Sequence, residues 1–497
     1  MLLSAADYHD LTSYDRDKMI GHQLDWSNQP NSFKNYEGLK KIRLEENTEQ
    51  YTGSLSELFG PRKSLISKGI CFQDLSLVLK LSHCLTRKER SSNGYFYFRN
   101  VASAGALYPF EIYLATFNTL DLDQGLYHHS VADQSIVQLR EGNFCGAVSS
   151  AIDFRRTDQL AAVFFLTAIF FRSSWKYRER AYRYHLLDTG HLCENLFLAL
   201  KSENLNFEIS YDFDDSIINE FLAIDVLREV CMVTVGVFSE NAPDNSCLDS
   251  FWSNSVNLKK FSSCAKEERR YPVINSMHAF TSTRKPVHEN DSTGHQNLFF
   301  EKVGVPIKLE TFQNSPELIN YSQALFQRRS RRNFAQRPIP LCVFSWVMSF
   351  LKKEKPLINS NFLSIGLLIS NVEGIAPGFY MTEPDGSMRL MFSLFVPERI
   401  AHICLDQAWL SNCSCNFLFL ADLLALEEEF GPRSYRYAMV EAGRQGQRLY
   451  LAAEAVKFGC CGIGAFYDRE ARQFLNLRSD VRLLYLVGFG PLTKTFA

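Results

Sequence analysis

The stretch Lys176–Leu200, KYRERAYRYHLLDTGHLCENLFLAL, returns as Glu429–Ala453, EFGPRSYRYAMVEAGRQGQRLYLAA. Arg180 falls on Arg433, Tyr182 on Tyr435, Arg183 on Arg436, Tyr184 on Tyr437, Asp188 on Glu441, Gly190 on Gly443 and Leu198 on Leu451. Apolar residues recur every three or four positions after Tyr-Arg-Tyr, so each stretch predicts an amphipathic helix. Each also leads, about forty positions on, to an apolar strand predicted to end in Val-Gly, at Val235–Gly236 and Val487–Gly488. A register held over that distance marks an internal duplication. What the chain does must be sought where the two copies differ.

With 497 residues and 46% hydrophobic content, the chain can fill the cores of two to four domains. A formal net charge of -2 excludes the strongly basic face of a nucleic-acid binder, the run Arg328–Arg332 being the one local exception. The longest apolar run, Leu160–Phe171, falls short of the roughly 20 residues of a membrane span and predicts a buried strand, so no membrane partner is expected. The first residues carry acids early and lack a basic region before a long apolar core, unlike a secretory signal. The thirteen cysteines include no CxxC pair, only Cys413/Cys415 and Cys460/Cys461 lying close together. That predicts reduced core thiols, no metal site and a cytoplasmic protein.

Taken in order, residues 1–51 are polar and aromatic and predict a wrapping extension anchored by Trp26 and Phe33. Residues 52–240 form a first domain. Its pattern predicts a helix from Asp74, a strand at Tyr95–Arg99, a small-residue loop at Ala102–Ala106 stopped by Pro109, and strands at Glu111–Phe117 and Gly125–His129. Residues 241–317, rich in Ser, Asn, Asp, Lys and Pro, predict a partly disordered linker. Residues 318–497 form the second domain. It opens on a helix expected over Ser315–Arg328 and a second over LCVFSWVMSFL, followed by strands at Ser364–Ser370 and Gly378–Met381. A helix around Pro397–Gln407 and a long apolar helix across Asn416–Glu429 precede the repeated helix and GCCGIGAFYD.

Three motifs could carry chemistry. Arg328, Arg329, Ser330 and Arg332 offer guanidinium forks and a hydroxyl to a phosphate, although a solvated basic turn has the same composition. Gly459–Gly464 leaves backbone N–H groups unshielded toward a planar or phosphorylated ligand, as a glycine turn before a strand also would. The run SAGALYP permits close backbone approach but is ambiguous alone. His128, His129 and His191 fit satisfied polar positions better than bases or ligands.

Taken together, RNVASAGALYP, KYRERAYRYHLLDTGH, RRSRRNF and the final GIGAF before an apolar strand resemble the flavin-dependent nitroreductase superfamily, and within it the SagB-type dehydrogenase branch that includes azoline oxidases. The likeness spans nearly the whole chain outside the linker. It implies an α+β fold: two tandem domains, each a mostly antiparallel sheet flanked by helices, paired as a pseudo-dimer within one chain that can remain a monomer. It implies FMN as cofactor. The phosphate grip then falls on Arg328, Arg329, Ser330 and Arg332, the ring contacts on Gly462, Ile463 and Gly464, and the opposing loop on Ala102, Ser103, Ala104, Gly105 and Leu107. The grip and glycines lie in the second copy, whereas the loop lies in the first. In the first copy the grip has decayed to Arg62, Lys63, Ser64 and Ile66, with Ile209 and Tyr211 in place of glycines, and the second copy has no loop around Asn361–Leu367. One intact interdomain FMN site and one dead site per chain are therefore expected.

The resemblance also assigns proton transfer to Lys176 and Tyr177, which become Glu429 and Phe430 in the second copy. An exposed lysine beside a core tyrosine would read the same. Arg180, Tyr182 and Arg183 persist in both copies and are expected to support the fold. Val101 and Ala102 stand where the family commonly has proline. The implied activity is oxidation of a peptide-like or small heterocyclic substrate by hydride transfer to flavin N5, with oxygen or another acceptor taking the electrons. Alternatives are a reductase fed by NAD(P)H and a non-catalytic scaffold subunit of a peptide-modifying complex.

Overall fold

The computed structural model describes residues 4–19, 21–45, 52–60, 69–91, 94–154, 159–239, 257–285, 305–310, 314–351, 363–393 and 396–493. The chain divides into two compact units. The leading unit comprises Gln23–Tyr51 and Gly60–Ser282, and the trailing unit Met1–His22, Thr52–Phe59 and Thr283–Ala497.

In the leading unit the strands are β1 (Lys41–Arg43), β2 (Leu85–Ser91), β3 (Gly94–Arg99), β4 (Phe110–Thr116), β5 (Gly125–Ser130), β6 (Ser135–Glu141), β7 (Leu160–Ile169), β8 (Asn206–Ser210) and β9 (Glu229–Phe238). β2 and β3 form a separate hairpin, and the others make one antiparallel sheet in the order β1-β6-β5-β4-β7-β9-β8. The trailing unit contains β10 (Ser364–Ile369), β11 (Gly378–Thr382), β12 (Met388–Phe392), β13 (Cys415–Asp422), β14 (Gly459–Ile463) and β15 (Val481–Gly490), in the order β12-β11-β10-β13-β15-β14. From β6 to β8 and from β12 to β14 the two orders are the same, so the duplication read from sequence is a duplication of fold. Register agrees too: Ile209 pairs with Val235 as Gly462 pairs with Val487. Each unit combines helices with an antiparallel sheet, the expected α+β class.

The repeated stretch is a 22-residue helix in each copy, Ala181–Ser202 and Ser434–Ala455. Neither is amphipathic in its setting, since burial extends around the whole circumference. The polar positions are tolerated because they are bonded: His185 Nε2 lies 3.1 Å from the Phe170 carbonyl oxygen, and Asn195 Nδ2 donates to the Ser82 carbonyl. Arg180, Arg183, Arg433 and Arg436 are all buried.

Three local expectations fail in whole or in part. Asn416–Glu429 is not one helix: β13 occupies its first half, and a helix begins only at Leu423. A continuous apolar run cannot separate a buried strand from a buried helix by periodicity, yet the duplicate run at Leu160–Ile169 is the matching strand, followed by the helix Phe170–Tyr177. The Val-Gly pairs lie inside β9 and β15, which run two residues further. The helix expected over Ser315–Arg328 occupies only Tyr321–Gln327, capped by Asn320.

Residues 23–45 clothe the leading unit. Trp26 meets Trp175 edge-on at 5.2 Å and Phe33 meets Tyr97 at 4.8 Å, while β1 adds a strand beside β6. Deeper still are Lys34 and Tyr36. Lys34 pairs with Glu229 and bonds the Tyr113 hydroxyl at 2.7 Å, and Tyr36 Oη stands 2.9 Å from Tyr113 Oη. Part of the expected linker is ordered on the same unit, as Leu258–Ser262 and Pro272–Thr281. The disorder expected for residues 241–256 and 286–304 lies outside the described residues.

The copies differ sharply in one layer of the sheet. Equating residues by strand register, Glu111, Tyr113, His128, Thr167, Arg172 and Glu229 of the leading copy become Ser364, Gly366, Met381, Leu420, Ala425 and Val481 of the trailing copy. A buried polar layer in one copy is a largely apolar one in the other, so the fold itself does not require the charges. Arg172 Nη1 bonds Glu111 Oε1 at 2.6 Å and the Tyr108 carbonyl at 3.0 Å, and His128 Nε2 lies 3.0 Å from Glu111. Burial alone would raise the Glu111 pKa, but Arg172 and His128 reverse this and hold the carboxyl well below its ordinary range.

Candidate functional site

In the leading unit the small-residue loop joins β3 to β4. Ser103 Oγ donates to Asp188 Oδ2 at 2.6 Å, and Ala104 N–H donates to both carboxylate oxygens at 3.1 and 3.2 Å. Tyr108 N–H donates to Ser103 Oγ at 2.9 Å. These bonds fold the loop so tightly that Gly105, Ala106 and Tyr108 all have left-handed backbones, with φ of 64°, 53° and 46°. Burial raises the Asp188 carboxyl to about 7, and the bonds from Ser103 and Ala104 only partly offset it.

Gly105 brings the two predicted motifs together. A Cβ built on it would stand 2.8 Å from Tyr177 Oη and 3.3 Å from Lys176 Nζ. Lys176 and Tyr177 close the helix Phe170–Tyr177, Tyr177 packing on Tyr184 with ring centroids 4.3 Å apart. The next residue, Arg178, is held at φ 51°, ψ -133°, a region that only glycine normally enters. Its counterpart in the trailing copy is Gly431. Of the other loop residues, Ala102 is buried, and Leu107 packs against a cluster containing Ile169, Phe171 and Trp175.

In the trailing unit the basic run Arg328–Arg332 and the glycine strand meet through Tyr450, on the helix Ser434–Ala455. Its hydroxyl lies 2.9 Å from Ser330 Oγ and accepts from Gly462 N–H at 2.8 Å. The Arg328 guanidinium lies 5.3 Å from the centre of the Tyr450 ring. Arg329 N–H donates to Glu454 Oε1 at 3.1 Å, and Arg331 N–H donates to the Cys460 carbonyl at 3.0 Å. Burial pushes the Tyr450 hydroxyl far above its ordinary pKa, so it remains a protonated donor. Gly462 has to be glycine because a Cβ there would collide with the Tyr485 hydroxyl. Ile463 belongs to the core, and Gly464 follows β14 directly, half-exposed. The decayed grip at Arg62–Ile66 lies outside the described residues.

Each unit, taken by itself, carries residues whose chemistry fits part of a flavin mononucleotide. Gly105 exposes backbone where any side chain would close the space beside Tyr177 and Lys176. Arg332 is exposed and forms no ion pair among the described residues, as a phosphate ligand requires. Among the described residues no group of three or more His, Cys, Asp or Glu side chains is placed to hold a metal, and no helix is long and apolar enough to cross a membrane. Sequence reasoning missed Tyr450 and Tyr485 as supports. It noted Asp188 only as a repeated position and placed the loop without its partner.

The fold defines an α+β protein with two copies of one unit. The nitroreductase family model matches residues 70–237 and 390–491, more than half of the chain and one segment in each copy. The chain belongs to the nitroreductase family, as a tandem duplicate. A Methanocaldococcus jannaschii protein described as a candidate nitroreductase is 26% identical over 182 residues, 35% of this chain and 92% of that protein. The trifolitoxin-processing protein TfxB of Rhizobium leguminosarum is 27% identical over 37% of this chain, and the microcin B17-processing protein McbC of Escherichia coli is 28% identical over 30%. These matches span 51% and 57% of the two processing proteins, little more than half their length. A crystal structure from Anabaena variabilis, also described as a candidate nitroreductase, superposes with a TM-score of 0.80 over 98% of this chain and 99% of its own at 24% identity, a likeness of fold.

Proposed function

We propose that this chain is an FMN-dependent oxidoreductase of SagB type that oxidises a C–N or C–C bond in a peptide-like or small heterocyclic substrate. The observation that carries the reading is the approach of Tyr177 and Lys176 to the Gly105 backbone. This pair, its loop and the glycine between them occur in the leading copy alone. The phosphate grip and glycine strand occur in the trailing copy alone, which supports one flavin per chain. The names of TfxB and McbC as processing proteins for trifolitoxin and microcin B17 favour a peptide substrate. Every cysteine among the described residues is a free thiol, which fits a reducing cytoplasm.

Arg328, Arg329, Ser330 and Arg332 would hold the phosphate, Gly462 and Gly464 would lie along one part of the ring, and Ala104 and Gly105 along another. When bound, the flavin would supply a hydride acceptor at N5, with oxygen or another oxidant as the final acceptor. Lys176 Nζ takes the proton released from the substrate as the bond is oxidised, and Tyr177 Oη, beside the same glycine, relays it. The aromatic contact with Tyr184 fixes the Tyr177 ring, so the proton carrier is oriented before substrate arrives.

The test is anaerobic mixing of the FMN-loaded chain with an azoline-containing peptide. Bleaching of the flavin band is expected, and Lys176→Ala should keep the yellow colour while bleaching roughly 10²-fold more slowly or less. An unchanged rate removes the lysine from the mechanism. Rapid bleaching by NAD(P)H without peptide would support the reductase alternative instead.

A further inference from the structure

We propose that Asp188 is a positioning residue whose carboxylate clamps the loop Ser103–Tyr108 in the shape that presents Gly105 to Lys176 and Tyr177. This deepens the flavin reading and rests on it. The two copies use the acid at this position differently. In the trailing copy the equivalent Glu441 is satisfied along its own helix, by Arg444 Nη1 at 3.2 Å and Gln445 Nε2 at 2.7 Å. In the leading copy those two positions are His191 and Leu192, and the acid is one methylene shorter.

Asp188, 3% exposed, instead accepts Ser103 Oγ–H and Ala104 N–H. The shorter side chain and changed neighbours redirect a carboxylate from helix to loop in the one copy that has the loop. Ser103 extends the clamp, because its oxygen also accepts Tyr108 N–H five residues on. The far end is held separately, by Arg172 on the Tyr108 carbonyl. Between the two anchors lie the left-handed Gly105 and Ala106, and the far anchor Tyr108 is left-handed itself, a conformation that chain stiffness does not favour and that the anchors must maintain.

The experiment uses the full chain and the variants Asp188→Asn and Ser103→Ala. At pH 8, where the Asp188 carboxyl is ionised, the amide puts an N–H donor in place of one charged acceptor oxygen, so Ala104 N–H loses its bond to Oδ1 and the neutral oxygen that remains holds Ser103 and Ala104 more weakly. In the flavin-free protein, hydrogen exchange at the Ala104 and Tyr108 amides should quicken at least tenfold in Asp188→Asn. FMN should bind about tenfold more weakly in each single variant, and the double variant should be no weaker than the worse single one, since both break one clamp. Exchange and FMN affinity at wild-type levels in Asp188→Asn would overturn the proposal, as would additive losses in the double variant. Should Asp188→Asn fail to fold, Ser103→Ala, at a half-exposed position, decides by the same two readouts. If the wild-type chain took up no FMN, the flavin reading would fall, and the exchange rates would still decide the clamp.

Discussion

The Tyr450 hydroxyl lies 2.9 Å from Ser330 Oγ, joining the arginine-rich turn to the helix that carries the repeat. The same oxygen accepts Gly462 N–H, so Tyr450→Phe removes two bonds and leaves a backbone donor without its partner. A loss of roughly 1–3 kcal/mol in stability is expected. Denaturant unfolding measures it, and an unchanged midpoint would show that the hydroxyl is dispensable.

Gly105→Ala should harm function more than a matched control. Gly105 and Gly38 both have left-handed backbones, and an alanine at either costs roughly 1–2 kcal/mol in strain. At Gly38 the added methyl meets nothing within 4 Å, whereas at Gly105 it must displace Tyr177 Oη. Both variants should therefore lose similar stability, while only Gly105→Ala slows flavin reduction, by at least tenfold. Equal rates in the two would place Lys176 and Tyr177 outside the reaction.

Arg178→Gly should stabilise the chain. Relief of roughly 1–3 kcal/mol of backbone strain, less roughly 0.5–1 kcal/mol for glycine's greater freedom when unfolded, leaves about 1 kcal/mol in favour of the variant. The trailing copy has made this choice at Gly431. Comparison of unfolding midpoints tests it, and a destabilised variant would mean that the Arg178 side chain holds more than its backbone loses.

Asp188 should make stability fall as pH rises. Its carboxyl is held near 7 by burial, against an ordinary value near 3.9. Below about pH 4 both folded and unfolded chains keep the proton, and the residue contributes no pH dependence. Between there and pH 7 the unfolded chain has released a proton that the native state retains, so each step upward weakens the fold, and above 7 the penalty levels off at roughly 4 kcal/mol. Wild type should therefore gain on Asp188→Asn as pH falls from 8 to 5. A difference in melting temperature that stays constant over that range would contradict the burial argument.

The duplication, the α+β class and most strands were legible because periodicity and a repeated register are properties of the chain itself. Cys415–Asp422 was misread as helix because an uninterrupted apolar run has no period, though its duplicate at Leu160–Ile169 carried the answer. The polar layer around Glu111 and Glu229 was invisible, since its members are scattered along the sequence and only strand register assembles them. Tyr450 and Asp188 were overlooked for a related reason. Each sits on a helix whose repeat pattern advertises core packing, and only the folded chain shows that a hydroxyl or carboxylate on it reaches a loop.

The central claim is that each copy keeps a different half of one flavin-binding set. The most direct test is the stoichiometry of FMN in the reconstituted, desalted protein, from the flavin absorption band against protein concentration. One FMN per chain is expected, falling toward none in Arg329→Ala, where a charge-assisted bond to phosphate is lost. Two per chain, or none in the wild type, would contradict it.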